Sequence, residues 1–438
     1  MLNRLFIVLA ALTSLCFAGW SGIPLQSRDG SILLGTAVRT ITPPIGIPLV
    51  GYPRPRPNTG VALDLCARIA VFGTPGKSEP EAALVVLDLI HVDAQLGRAI
   101  RERAAAAMAG LAPAAIMVSA THTHSGPAVS GRYAGDTDTG NDPGYVEKLI
   151  SSTADAIVAA WKSREEVRAR IGHASARLGH NRRVVNAEGK ATNEWNDAEG
   201  LHSGIFNPDV PYVVFDDVRT GTIRAVLVSY GCHPVVAGPA NTKVSADYPG
   251  YLVRALESAT KARTAIFITG AAGNINPREC LFPEPERARP MGEAIAAEVL
   301  ATLPQARPLK TMPISIASIP LRASVRREAE ERYAARLQKF PEGSRIISEV
   351  QVLRLGELAF VSAPGELVAE LGLAVQNSSP FTHTIIVYNA NDHLGYLVTE
   401  AIAREGGHEA DSAVSLDIEK PLLAAAREAL ERAAAAGK

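Results

Sequence analysis

The segment THTHSGPA, Thr121 to Ala128, carries two imidazoles two residues apart and then strong turn punctuation. The run before it, AAIMVSA, is apolar and reads as a buried strand. In extended backbone, residues i and i+2 face the same side. Both rings, His122 and His124, would then enter one pocket where the strand runs out into a loop. A metal ion is the first candidate to receive them. Other chemistry-bearing residues also follow apolar runs. His233 comes after TIRAVLVSYGC, with Pro234 fixing the exit and Asp247 placed either to orient that imidazole or to cap a loop. Glu366 follows FVSAPG at the start of a helical pattern; otherwise it is a first-turn carboxylate favoured by the helix dipole. IFITGAAGNINPR ends a strand in a small-residue turn that leaves backbone N–H groups and the amides of Asn274 and Asn276 near one edge. NANDHLGYLVTE offers His393 and Tyr396 in another loop. Two imidazoles and a carboxylate from three strand ends suit zinc, which takes N and O ligands and keeps a position open when catalytic.

The elements that must position these groups alternate along the chain. Strands are expected at Ala83–Val92, Ala114–Ala120, Val210–Asp217, Thr222–Gly231, TAIFITG and within Glu349–Val361. Helices are expected at Arg98–Leu111, Tyr145–Ser163, Gly250–Ala262, Met291–Leu303 and from about Asp417 onward. There is no internal repeat and no low-complexity linker. The expected class is α/β (α+β): large mixed β-sheets flanked by helices, an αββα-like layered single domain.

Composition sets the bounds. The chain has 438 residues, 47% of them hydrophobic and 20% charged, which excludes a disordered chain. The formal net charge of −1 gives no electrostatic reason to expect nucleic acid as a partner. MLNR followed by LFIVLAALTSLCF reads as a signal peptide over residues 1–18, leaving 19–438 as the functional domain of an exported protein, periplasmic or secreted. An uncleaved membrane anchor is the weaker alternative. Cleavage would leave Cys66, Cys232 and Cys280, which is not a disulfide scaffold.

Taken together, the motifs resemble the neutral/alkaline ceramidase family, zinc amidases that cut the N-acyl bond of ceramide. The resemblance runs in order from GTAVRTITPPIG and GYPRP through THTHSGPA, GHNRR, GCHPVV, SADYPGY, GNINPR, APGEL and HLGY to HEADS. It implies zinc ligands at His122, His233, Glu366 and Tyr396, a substrate-handling His124 beside the metal, and an active-site arginine at Arg182, for which Arg183 competes. Three departures stand out. The family's nucleophilic serine is replaced by Asn276, whose amide cannot attack a carbonyl. His393 and His408 stand where the family has tyrosines. The chain ends without room for the family's C-terminal β-sandwich domain.

The resulting expectation is an exported zinc hydrolase of an amide bond, with water activated by the metal as the simplest nucleophile. His124 and Arg182, helped by Asn276, would stabilise the developing oxyanion. His408 or Asp247 would accept the proton. The partner would be a small N-acyl molecule, lipid or otherwise; the sequence fixes no oligomeric state. A zinc esterase acting on a non-lipid substrate and a non-catalytic metal- or ligand-binding relative are the alternatives. His91, His173, His180, His202 and His383 are read as non-catalytic.

Overall fold

The computed structural model describes residues 30–53, 57–129 and 141–436, apart from positions 311, 332 and 342. The expected signal peptide therefore lies outside the described residues. Two sheets dominate. The larger runs in the order Thr264–Thr269, Ile223–Tyr230, Asp209–Asp217, Glu165–Ser175, Ser31–Thr40, Cys66–Gly73, Ala82–Leu87 and Ile116–Ala120, with Arg307–Pro308 added beside Glu165–Ser175. Its central pairs are antiparallel, while the outermost pair on each side is parallel. The smaller sheet runs Ile314–Ser324, Gly343–Leu355, Leu358–Ser362 and His383–Val387, the last pair again parallel.

The layers follow from which faces are apolar. Ile32, Phe72, Leu84, Phe215 and Ile268 of the first sheet pack with Leu353, Leu358, Phe360 and Ile385 of the second in one buried cluster, so the sheets stack face to face. The opposite face of the first sheet is covered by helices Ala94–Ala107, Pro143–Lys162, Asp247–Thr260 and Arg289–Thr302. Helices Ala369–Asn377 and Glu419–Ala435 cover the outer face of the second. The order is helix, sheet, sheet, helix, as expected. Burial on both faces explains why AALVVL, Ala82–Leu87, reads as an unbroken apolar run rather than an alternating one.

Boundaries shift where local chemistry overrides pattern. The strand expected to reach Val92 stops at Leu87, because Asp88 turns aside to accept from the Cys66 amide (2.8 Å) and the Thr121 hydroxyl (3.1 Å). The helix expected from Arg98 starts at Ala94, where Asp93 accepts from the Leu96 amide at 2.8 Å and caps it. Asp142 likewise caps Pro143–Lys162.

The two edge strands of the large sheet come back together at their carboxyl ends. There the Thr269 hydroxyl donates to the Thr121 carbonyl at 2.8 Å, and Tyr388, just past the last strand of the small sheet, donates its amide to the Thr269 carbonyl at 3.0 Å. Loops from both sheets are thereby delivered to one place. No helix among the described residues is long and apolar enough to cross a membrane.

Candidate metal centre and active site

His122 does not lie in extended backbone as the sequence suggested. The strand ends at Ala120, and His122 has φ +72°, a left-handed conformation rare for a residue with a Cβ. Its amide donates to the Leu89 carbonyl (2.8 Å) and its Nδ1 contacts the Ile90 carbonyl (2.5 Å). The outcome expected of an i, i+2 pair is nonetheless reached: Nε2 of His122 and Nε2 of His124 lie 3.2 Å apart, ring planes nearly perpendicular at 87°. His233 follows strand Ile223–Tyr230. Its amide donates to the Ile275 carbonyl (2.9 Å), and its Nδ1 faces the Ala272 carbonyl at 2.7 Å.

Glu366 enters from the second sheet. It follows strand Leu358–Ser362 and pairs with Tyr396 in a two-residue parallel ladder. Its Oε2 sits 3.3 Å from Nε2 of both His122 and His233, and accepts from the Tyr388 hydroxyl at 3.1 Å. His122, His124 and His233 form the metal-capable histidine cluster found among the described residues. Separations of 3.2–3.3 Å are those of donors sharing one tetrahedral ion with bonds of about 2.0–2.1 Å. Backbone carbonyls at the Nδ1 atoms of His122 and His233 fix the tautomer that leaves each Nε2 lone pair free. Burial, reinforced by the Arg182 cation, pushes the His233 imidazolium pKa down to about 4, so the ring is neutral, as a ligand must be. Burial alone would raise the Glu366 pKa, but His122 and His233 hold it well below the ordinary range and keep it a carboxylate. This donor set fits zinc.

Beside the cluster lies a buried guanidinium. Arg182 donates from Nε to Glu409 (2.8 Å), from Nη1 to Asn276 Oδ1 (3.0 Å), and from Nη2 to the Gly273 carbonyl (2.8 Å) and the Tyr396 hydroxyl (2.9 Å). Burial opposes its charge, yet Tyr396 and Glu409 more than restore it, so its pKa is raised. Strand Gly179–Asn181, paired with Ile275–Pro277, and the Arg182 amide donating to Asn274 bring this arginine to the Asn276 turn. The Asn276 amide nitrogen is directed at the Trp195 carbonyl (3.1 Å) and the Cys280 sulfur (3.7 Å). Tyr396 also meets Nε2 of His408 at 3.4 Å, and burial together with Arg182 lowers the His408 pKa.

A cavity of about 420 Å³ opens over these groups. His124, His233, Glu366, Arg182, Asn276, Tyr396, His393 and His408 line it, alongside Tyr52, Trp195, Val235 and Leu281. Of the expected metal ligands only His122 does not face this space, being buried beneath it, and Arg183 does not line it either. Nor does Asp247. Its carboxylate accepts from the backbone amides of Ala237 (2.9 Å) and Tyr248 (2.7 Å), so the alternatives of orienting His233 or accepting a proton in the cavity give way to a structural one. His393 stacks on His91 with centroids 4.4 Å apart. Sequence reasoning missed Glu409, Tyr388 and Asn389; the last touches Nδ1 of His122 at 2.9 Å. Glu409 stands next to His408 inside HEADS, the only signal that pointed to it.

Layered sheets meeting at a buried histidine–carboxylate cluster give an α/β fold with donors that could hold a metal ion, and comparison with known proteins gives it a family. Residues 32–290 match the neutral/alkaline non-lysosomal ceramidase N-terminal domain, and the chain belongs to that family of amide-bond hydrolases. Among solved structures it is similar to a ceramidase complexed with C2, with TM-score 0.76 and 18% identity over 92% of this chain and 76% of that one. It is also similar to the neutral ceramidase of Pseudomonas aeruginosa, with TM-score 0.75 and 19% identity over 92% and 75%. No curated protein matches the sequence significantly.

Proposed function

We propose that this protein is an exported, zinc-dependent hydrolase that cleaves the N-acyl amide bond of a small molecule. The observation that carries the reading is the convergence of His122, His233 and Glu366, with His124 3.2 Å from His122, at the floor of a cavity that also holds Arg182, Tyr396 and His408. His122, His233 and Glu366 would hold the metal, with Tyr396 as a conditional fourth ligand. Bound zinc would supply Lewis acidity, polarising the amide carbonyl and acidifying water.

The chain's own groups supply the remainder. His124 lines the cavity next to the ligands and is placed to touch the substrate oxygen. Tyr396, fixed by Arg182 at 2.9 Å, presents its hydroxyl where negative charge develops, and the guanidinium behind it favours that charge. Neutral His408, 3.4 Å from that hydroxyl, takes up a proton and returns it to the leaving amine. Asn276 contributes indirectly: its oxygen holds Arg182, and its nitrogen is spent on Trp195 and Cys280.

The test is zinc analysis of purified protein followed by an N-acyl substrate panel with and without chelator. The expected result is one zinc per chain in this centre and chelator-sensitive amide hydrolysis. Short N-acyl compounds should give the higher kcat/KM, because a cavity of about 420 Å³ is of the size that takes a small molecule. Turnover of esters alone would favour the esterase alternative, and silence across the panel with zinc bound would favour the binding protein. Export is checked by the mature N-terminus, expected at Gly19.

A further inference from the structure

Two histidine pairs, His180–His202 and His173–His383, lie away from the candidate centre, and the second has the geometry of a ligand pair. His173, on strand Glu165–Ser175, turns its Nδ1 to Asp209, whose two carboxylate oxygens lie 3.1 Å away and accept from it. That contact places the ring proton on Nδ1 and leaves the Nε2 lone pair outward, the second-shell arrangement typical of metal-binding histidines. Nε2 then faces Nδ1 of His383 at 3.3 Å. His383 opens strand His383–Val387 of the other sheet, so the two rings come from different sheets. The His173 side chain is 46% exposed, leaving room for water on any ion held there.

We propose that His173 and His383 form a second, surface site for a transition-metal ion such as zinc, with Asp209 as the residue that positions His173. The 3.3 Å separation equals the edge between two nitrogens on one tetrahedral zinc with bonds of about 2.0–2.1 Å. An ion here joins the large sheet to the small one at their shared margin, and its role is structural. Neither histidine lines the active-site cavity. The alternative is a bare hydrogen bond from one imidazole to the other, which needs no ion.

Calorimetric titration of chelator-stripped full-length protein with zinc chloride separates the two. The wild type is expected to take up two classes of equivalent. The weaker should persist in His122→Ala and vanish in His383→Ala, which keeps wild-type hydrolysis once the first equivalent is loaded. Asp209→Ala should weaken the second class by about 10- to 100-fold. Saturating zinc should raise the melting temperature of wild type above that of His383→Ala. Equal stoichiometry in wild type and His383→Ala, or no uptake beyond what His122→Ala abolishes, would overturn the site and leave the hydrogen bond. Neither result bears on the primary centre, which His122→Ala reads separately.

Discussion

Arg182 and Glu409 are 227 positions apart in sequence and meet in an ion pair of 2.8 Å with both side chains buried. Glu409 also takes Arg183 (2.7 Å) and Asn193 (2.9 Å), and Glu405 takes the other arm of Arg183 (3.0 Å), so the two buried guanidiniums share Glu409 with only one further carboxylate. Removing one member of such a group leaves an uncompensated buried charge, at a cost of about 3–5 kcal/mol. Glu409→Ala should lose stability of that order in urea denaturation. It should also lower kcat, because Arg182 no longer holds Tyr396, while zinc content stays unchanged. The same pair predicts a pH dependence. Burial raises the Glu409 pKa, but Arg182, Asn193 and Arg183 together bring it down from 4.5 to about 2. Between those values the unfolded chain binds a proton that the folded chain does not, so stability falls as pH falls. The advantage of wild type over Glu409→Gln, both in chelator, should be full above about pH 4.5 and gone near pH 2. A constant gap across that window would count against the assignment.

The metal cluster makes a separable prediction. His122→Ala and His233→Ala each remove one corner of a donor set whose edges are 3.2–3.3 Å, and each should abolish retention of the tight zinc equivalent and all activity. Tyr396→Phe should keep zinc while losing activity by about 10²–10³ if its hydroxyl meets the developing oxyanion. Full zinc occupancy in His233→Ala, measured by atomic emission on dialysed protein, would dismantle the centre.

Much of this was legible in the sequence because the groups sit at strand ends, and a strand end is marked by an apolar run giving way to Gly, Pro or Asn. The HTH pair, His233 and Glu366 were all readable in that way, and so was the four-layer order. What hid from view depended on contacts between distant segments. The left-handed φ of His122 is set by its hydrogen bonds to Leu89 and Ile90, which pattern cannot report. Glu409 reads as one more helix carboxylate until strand Gly179–Asn181 brings Arg182 to it. For Asp247 the sequence left open whether it orients His233 or caps a loop, and only the fold decides for the second, with its carboxylate spent on the amides of Ala237 and Tyr248.

Gly51 supports His124 from the other side of the cavity. Its φ is +104°, and a Cβ built there would lie 2.6–2.7 Å from the His124 ring and Cβ. Gly51→Ala therefore forces the imidazole away in addition to straining the backbone, which costs roughly 1–2 kcal/mol. The expected signature is a fall in kcat toward that of His124→Ala, with zinc still bound through His122, His233 and Glu366. An unchanged kcat would mean that His124 does not touch the reacting oxygen.

Asn276 decides between two mechanisms for the same cavity. At this position the chain has an amide whose oxygen accepts from Arg182 at 3.0 Å and whose nitrogen faces Trp195 and Cys280. Such a residue can aim the guanidinium but cannot carry an acyl group, so in the proposed function attack falls to water. Asn276→Ala should free Arg182 on one side and lower the rate by about ten- to a thousandfold, leaving zinc in place. Asn276→Asp keeps an oxygen acceptor for Arg182 but loses the N–H toward Trp195, and should be less damaging than alanine if holding Arg182 is the role. Cys280 is no substitute nucleophile, since burial pushes its thiol up to about 12. Rapid-quench mass spectrometry during turnover reads the mechanism directly. The expected spectrum contains unmodified chain at every time point; an acyl adduct on any residue would rule out direct attack by water and return the reaction to a covalent route.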